Sequence, residues 1–406
     1  MDARAARRDG ARDPADSRLR TLSPTRIVAA RRHRRISRDR QRFLRRRGAQ
    51  IRQRASRRGL ARAPRRGRRQ AAAPEGETDL TGEFNIIARY FAPLSADFEG
   101  AFGLKDDAAL LTGEFVVTKD VLVEGVHFRA KDPVSAVARK ALRVNLSDLA
   151  AKGARPIGYF LGCVWPTGVT EEAIAEFAEG LKADQDLFKI ALVGGDTTAH
   201  RAKGAPFVIS VTMFGAKGPA GMIRRSGAQV GDDAYVTGTI GDAGLGLAAL
   251  AGDLKPAAPH KSFFAERYQL PSPRVSLGGA LCGCASAAID VSDGLIADAR
   301  HVAEESSVGI EIHAEKIPLS EAARFWLDRQ EDREGAVARL ASSGDDYEIF
   351  FSAPSSRRRS IEMASQLTKT PVARIGTVSR GGGVRLLNGL GKSIATSAGG
   401  YDHFQP

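Results

Sequence analysis

Ala287-Ala-Ile-Asp-Val-Ser-Asp-Gly-Leu295 reads as a short buried strand, an acidic turn and the opening of a helix. Ala287–Val291 is apolar apart from Asp290, a Ser-Asp-Gly turn follows, and helical spacing runs from Leu295 to Glu304. The same alternation recurs on both sides. Upstream, strands are predicted at Phe115–Thr118, Ile190–Val193 and Phe207–Phe214, and a helix over Val134–Leu149. A second helix follows Thr170, a good N-cap whose neighbours Glu171 and Glu172 suit the helix dipole. Gly82-Glu-Phe84 is expected to open an amphipathic helix carrying Ile86, Ile87, Tyr90 and Phe91. Downstream, strands are predicted at Asp233–Thr237, Ile310–Ile312 and Tyr347–Phe351, with a helix at Ala243–Ala251. Strands alternating with helices predict α/β architecture with mixed sheets. The composition break at Arg224-Arg-Ser-Gly227 marks a boundary, giving units 76–228 and 229–406 after an N-terminal extension, 1–75.

Charge divides the chain the same way. The 406 residues carry a formal net charge of +14. Residues 1–70 hold 26 Arg, no Lys and 5 Asp, a net +21, which leaves 35 basic and 42 acidic residues, or −7, for the remainder. The body is therefore mildly acidic, and a nucleic-acid partner would rest on the extension alone. That Arg/Ala-rich extension lacks apolar periodicity and is expected to be disordered. A start codon set too early, a transit peptide and an RNA-binding arm all compete to explain it. Phe43 is its one aromatic residue, which argues against an RNA arm that stacks bases.

Three cysteines, Cys163, Cys282 and Cys284, do not make a disulfide scaffold, and they fit a reducing, cytoplasmic setting. Cys282-x-Cys284 has no second pair at zinc spacing. The apolar run Ile157–Trp165 is far shorter than the ~20 residues of a membrane helix, so no membrane partner is expected.

Aspartates at strand ends or beside glycines carry the chemistry: Asp106-Asp107, Asp120, Asp148, Asp196, Asp290 with Asp293, and Asp345-Asp346. In α/β proteins the strand ends are where ligands bind. Converging carboxylates repel one another unless a cation neutralises them. Hard oxygen donors of this kind suit Mg2+, which bridges to phosphate oxygens. Two familiar phosphate loops fail. Gly391-Lys-Ser393 ends like a P-loop, but the required first glycine is Leu386. Gly244-Leu-Gly-Leu-Ala-Ala249 is a weak dinucleotide fingerprint, better read as a tight strand–helix turn. Phosphate handling therefore falls to metal ions and acidic residues. His127, just past a strand end, and Arg225, at the boundary, join the candidates; a guanidinium there suits bidentate phosphate binding.

Several blocks occur in an order that resembles the bacterial thiamine-monophosphate kinase family: Gly82-Glu-Phe84, Lys105-Asp-Asp-Ala-Ala109, Leu122-Val-Glu-Gly-Val-His-Phe128, Asn145-Leu-Ser-Asp-Leu-Ala-Ala-Lys-Gly-Ala154, Gly194-Gly-Asp-Thr-Thr198, Arg225-Ser-Gly227, Asp290-Val-Ser-Asp-Gly-Leu295, Gly344-Asp-Asp-Tyr-Glu348 and Gly400-Tyr-Asp-His-Phe404. The resemblance spans about residues 82–404. It implies a two-domain AIR-synthetase-like (PurM-like) fold and a homodimer formed through the N-terminal domains. The implied activity is ATP-dependent phosphorylation of thiamine phosphate to thiamine diphosphate with several Mg2+ ions. It further implies metal ligands Asp107, Thr118, Asp120, Asp148, Asp196, Asp290 and Asp293. Nucleotide contacts are Gly195, Asp196, Arg225 and Ser292, and acceptor contacts are His127, Asp345 and Tyr401. Asp120, Asp148, Asp293 and Arg225 form the implied catalytic set. Lys119 stands where many members have Thr or Ser, and Asp345 where many have Glu. The extension has no counterpart, which favours the early-start reading.

The chemistry agrees with these residues. A phosphate monoester has a second pKa near 6, so the acceptor is mostly a dianion and needs no general base. Catalysis reduces to screening two anions and aligning them in line. A thiazolium ring would suit an aromatic face, for which Tyr401 is the candidate. Other AIR-synthetase-like enzymes are the enzymatic alternative. Selenophosphate synthetase would show a reactive Cys near its start and a hydrogenase-maturation factor a C-terminal Cys, and the body has neither. An RNA-associated protein using the extension is the non-enzymatic alternative.

Overall fold

Apolar alternation builds two sheets, one in each half of the chain. The computed structural model describes residue 85 and residues 87–396. The Arg-rich extension, Gly82–Phe84 and Tyr401 lie outside the described residues. The first half contains β1 (Ala109–Leu111), β2 (Phe115–Val123), α1 (Val134–Ala151), β3 (Arg155–Trp165), α2 (Glu171–Phe188), β4 (Ala191–Ala199) and β5 (Val208–Ala216). Its five strands run in the order β1-β2-β5-β3-β4. Pairing is antiparallel except between β3 and β4.

One face of this sheet is covered. On β5 every second residue is apolar and buried, and on the same face of β2 Val116 and Leu122 flank Thr118 and Asp120; Val116, Leu122, Ile209, Val211 and Met213 meet Leu142, Leu146 and Leu149 of α1. Trp165 stacks on Phe207 with ring centroids 4.4 Å apart. Thr170 caps α2 by accepting the Ala173 N–H.

The second half runs β6 (Asp233–Thr237), α3 (Asp242–Ala251), α4 (Ala258–Gln269), α5 (Val275–Leu281), β7 (Ala287–Asp290), α6 (Leu295–Ser306), β8 (Gly309–His313), α7 (Glu321–Leu327), α8 (Arg333–Ala341), β9 (Ile349–Ala353), α9 (Arg358–Thr368), β10 (Val372–Ser379), β11 (Gly383–Leu387) and β12 (Ser393–Ile394). Its seven strands take the order β12-β11-β8-β10-β6-β9-β7. β6, β7 and β9 are buried along their whole length, which is why they read as continuous apolar runs rather than alternating ones. Val236, Ile289, Ile310, Ile312, Phe350 and Ile375 pack under Leu295, Ala299 and Val302 of α6.

A third apolar cluster joins the halves. Ala150 and Ala151, at the end of α1, pack with Leu277 and Leu281 of α5, Phe351 of β9 and Ile361 of α9. Helix α1 is thus buried on nearly every side. The mixed α/β architecture with two mixed sheets is the expected one. No helix among the described residues is long and apolar enough to cross a membrane.

Four local expectations need correction. The helix expected from Gly82 begins outside the described residues; where described, Asn85 is helical and Ile87–Phe91 is a π-type turn rather than a regular α-helix, with Tyr90 and Phe91 exposed. β2 runs on to Val123 and β4 to Ala199, so Asp120 and Asp196 sit inside strands rather than at their ends. Asp148 lies in the last turn of α1, and Asp106-Asp107 in the turn before β1. Only Asp290 ends a strand as expected. The strand predicted at Tyr347 starts at Ile349, because Asp345 and Tyr347 take left-handed backbone angles, φ 68° and 50°, that no strand accommodates.

The junction between halves is close enough to test. A Cβ placed on Gly278 would lie 2.0 Å from the Ala150 carbonyl oxygen. Gly278→Ala must therefore push α5 off α1, and we expect a loss of about 1–3 kcal/mol. A thermal melt lowered by several degrees is the expected result; an unchanged melt would show that the junction does not bind the halves together.

Candidate active site

The cleft between the sheets holds a cavity of about 610 Å³, within the usual range for small-molecule sites. Its centre is acidic. One carboxylate oxygen each from Asp107, Asp148 and Asp290 lies within 4.8 Å of the others. The three come from unrelated segments: the turn before β1, the last turn of α1 and the end of β7. Asp120 extends the cluster from β2, and its Oδ2 is buried with no hydrogen-bond partner among the described residues. The Thr118 hydroxyl donates to the Asp148 carboxylate and lies 3.1 Å from the Asp107 carbonyl oxygen.

Among the described residues, the cations paired directly with the central carboxylates sit on one flank. Lys152, the residue that ends α1, is fully buried, with Nζ 2.8 Å from Asp106 Oδ1 and 2.5 Å from Asp107 Oδ2. It also donates to the Ala288 carbonyl at 2.8 Å. Arg225 donates through Nε to Asp107 at 2.6 Å. Arg224 donates to Asp106 at 2.8 Å and lies over the Phe102 ring. On the other flank, Asp298 in the first turn of α6 accepts the Asp293 and Gly294 N–H groups, each at 3.1 Å. It thereby orders the Ser-Asp-Gly turn that presents Ser292 and Asp293.

Ionisation follows this asymmetry. Burial pushes the Asp107 carboxyl up, but Arg225 and Lys152 outweigh it and hold Asp107 below the usual range. Asp120 and Asp290 make no direct ion pair among the described residues, and the more distant Lys119 and Arg225 offset their charge only in part. Burial and then the charge of Asp107 raise Asp120 to about 6 and Asp290 to about 8. Asp148 is raised well above its ordinary value by burial and by Asp120, Asp290 and Asp107. Such a set of oxygen donors, too many for the fixed cations beside it, fits a hard divalent cation.

The far end of the cavity is different. Asp345 pairs with the Lys140 ammonium at 3.2 Å. His127 Nδ1 accepts the Val123 N–H at 3.0 Å, so its ring, when neutral, carries the proton on Nε2. Tyr347 is half-buried beside them, and desolvation of its phenol followed by the charge of Asp345 pushes it well up. The rest of the Gly-Asp-Asp-Tyr-Glu block is structural. Asp346 accepts the Gly241 and Ala243 N–H groups at the start of α3, and buried Glu348 is paired with Arg267 and Arg274.

Ten of the expected site residues therefore line one cavity: Asp107, Thr118, Asp120, His127, Asp148, Arg225, Asp290, Ser292, Asp293 and Asp345. Gly195 and Asp196 do not. They lie on β4, the exposed edge strand, in the row Asp120–Val211–Leu161–Gly195. Three strand spacings separate that edge from β2, about 14 Å. Tyr401 is outside the described residues. Lys140, Lys152, Arg224 and Asp298 escaped the sequence reading. A lysine inside the apolar run Leu149-Ala-Ala-Lys-Gly-Ala154 was the one visible signal, because such a lysine needs a buried partner.

Residues 105–216 match the family model for AIR synthase related protein, N-terminal domain. The chain is 41% identical over 338 residues to the thiamine-monophosphate kinase of Caulobacter vibrioides, covering 82% of this chain and 93% of that protein. It is 36% identical over 334 residues to the Escherichia coli K12 thiamine-monophosphate kinase, covering 80% and 98%. Among solved structures, AaThiL complexed with AMPPCP and TMP superposes with a TM-score of 0.69 at 29% identity, covering 80% of this chain and 97% of that one. The thiamine-monophosphate kinase of Stenotrophomonas maltophilia K279a gives a TM-score of 0.61 at 38% identity, covering 75% and 96%.

The raised carboxyls make stability depend on pH. Asp120 and Asp290 bind protons more tightly folded than unfolded, so their contribution is full below about pH 4 and is lost as pH rises through about 6 and about 8. In chelating buffer the melting temperature should fall from pH 5.5 to 8.5, and Asp290→Asn should flatten that slope. A wild-type melting temperature that is level or rising over this range would contradict this charge balance.

Proposed function

The chain belongs to the thiamine-monophosphate kinase family and is an ATP-dependent kinase that phosphorylates thiamine phosphate; from that premise we propose how the cleft between its sheets carries out the transfer. The convergence of Asp107, Asp148 and Asp290 within 4.8 Å is the observation that carries the proposal. These residues, with Thr118, Asp120 and Asp293, hold Mg2+. Bound there, the ions would neutralise the nucleotide and acceptor phosphates that must approach each other.

The protein's own groups do the rest. Lys152 and Arg225 fix the Asp107 carboxylate so that it points into the cluster. Arg225 also offers a guanidinium to the phosphates of ATP, and Ser292 and Asp293 lie on the ordered turn next to it. The acceptor is already a dianion, so no side chain has to remove a proton. That agrees with a centre made of carboxylates and cations, with the imidazole that lines the cavity, His127, tied to β2. His127 and Asp345 bind the organic part of the acceptor at the far end, and in-line alignment follows from holding both ends.

We assign the working form to a homodimer through the first sheet. Phe115, Val121 and Phe160 are exposed on the face turned away from α1, and Leu192 and Val193 on the edge strand β4. A nucleotide and metal role for Gly195 and Asp196 rests on this assembly, because within one chain they lie too far from the cluster. Division into domains at 76–228 and 229–406 belongs to the same proposal. Free thiols at Cys163, Cys282 and Cys284 support a cytoplasmic setting.

The test is an ADP-release assay with thiamine phosphate, thiamine and an aminoimidazole nucleotide offered separately. Thiamine phosphate should be strongly preferred, since the hydroxyl of thiamine is not ionised. In the same assay Asp107→Asn, Asp148→Asn and Asp290→Asn should each lower turnover several hundred-fold, about 3–4 kcal/mol of transition-state stabilisation. Near-normal turnover of all three at low millimolar Mg2+ would remove the metal assignment. A monomer by light scattering at assay concentrations would remove the dimer.

A further inference from the structure

One lysine ties together the two residues at the acceptor end. Lys140 is on the buried side of α1 and only 2% exposed. Its Nζ lies 3.2 Å from Asp345 Oδ1, 3.0 Å from the His127 carbonyl oxygen and 3.9 Å from the centroid of the Tyr268 ring. An ammonium has three protons, and an anion, a carbonyl and a π face account for all of them. The His127 carbonyl is also within 3.4 Å of the Tyr268 hydroxyl, which donates to it, so the same aromatic side chain braces both groups.

The two residues so joined come from different parts of the fold. His127 follows β2, and its ring is set by the Val123 N–H. Asp345 sits in a left-handed turn, φ 68°, and its N–H donates to the Ser292 carbonyl at 2.8 Å. The backbone of Asp345 is therefore fixed from the nucleotide side, and the direction of its carboxylate is fixed by Lys140. With Oδ1 on the lysine, Oδ2 remains to meet a ligand in the cavity that Asp345 lines.

We propose that Lys140 is a positioning residue for the acceptor: it sets the Asp345 carboxylate and the His127 backbone in the one arrangement that receives the cationic end of thiamine phosphate. The proposal rests on the reading of His127 and Asp345 as acceptor contacts. It makes a prediction opposite in sign to simple electrostatics. Deleting a positive charge beside a cationic ligand should tighten binding if only charge mattered. Loss of positioning should weaken it, because Asp345 and His127 would no longer be aligned.

The experiment uses the full chain and four variants: Lys140→Met, Lys140→Arg, Asp345→Asn and the double variant Lys140→Met/Asp345→Asn. KM for each substrate and kcat are read by ADP release. Lys140→Met should raise KM for thiamine phosphate about tenfold or more while KM for ATP stays within about twofold, the split expected when a ground-state contact to one substrate is lost. Lys140→Arg should recover part of the loss. The double variant leaves neither charge buried alone and should fold even if Lys140→Met does not. Its rise in KM for thiamine phosphate should fall well short of the product of the two single effects, because part of the lysine's action passes through the aspartate.

An unchanged or lowered KM for thiamine phosphate in Lys140→Met would overturn the proposal. So would equal rises for both substrates, or a double variant in which the two single effects multiply. Asp345→Asn separates the two levels of inference. If it leaves KM for thiamine phosphate at the wild-type value, the acceptor reading itself fails. If it raises KM and Lys140→Met does not, only the role of the lysine fails.

Discussion

Mutual repulsion among buried carboxylates is the constraint from which the rest of this site follows. Asp107, Asp120, Asp148 and Asp290 are held close together in a cleft where water screens them poorly. On one flank Lys152, Arg224 and Arg225 offset the charge of the Asp106-Asp107 turn. On the other flank Asp148 and Asp290 make no direct ion pair among the described residues, and burial followed by their neighbours' charges drives their carboxyls up. A protein that only needed a stable core would fill this space with apolar side chains, which usually cost less than buried charges. The arrangement makes physical sense for a site whose remaining positive charge arrives with its ligands.

Helix α1 carries that constraint across the molecule. Lys140, Val144, Asp148 and Lys152 recur at intervals of four and form a slowly drifting stripe along one side of the helix. From the first to the last the stripe spans about 18 Å at 1.5 Å per residue. Lys140 meets Asp345 at the acceptor end, Val144 and Asp148 line the cavity, and Lys152 anchors the metal-facing turn. The helix is wedged between the two sheets, with Leu142, Leu146 and Leu149 in the first core and Ala150 and Ala151 in the cluster shared with the second. Both ends of the cavity are thereby referred to one rigid element. That rigidity matters for a reaction that depends on alignment rather than on a chemical side chain.

The Gly344-Asp-Asp-Tyr-Glu348 block shows how densely the second half serves the same end. Asp345 faces the cavity, Asp346 caps the start of α3, Tyr347 lines the cavity floor, and Glu348 is buried against Arg267 and Arg274. Five consecutive residues can divide the work this way because two of them take left-handed backbone angles. Successive side chains then leave the chain in directions that a regular strand would not allow.

By itself the sequence determined the class of fold, since alternating strands and helices leave few other architectures. It also determined the charge division of the chain and the segments that carry functional acids. The blocks around Asp107, Asp148, Asp290 and Asp345 were legible because each joins an acid to a glycine or to an apolar run. Only the tertiary structure decided which acids meet. Asp120 reached the cluster from inside a strand and Asp148 from inside a helix, whereas Asp196, in an equally distinctive glycine-flanked block, lies at the exposed edge of its sheet. The structure likewise recruited Lys140 and Asp298, which no local pattern marked as partners, and gave Lys152 the carboxylates that its apolar surroundings required. The reason is physical: local spacing fixes the direction of a side chain relative to its own element, but the distance between two elements depends on sheet order and on the packing of the core between them.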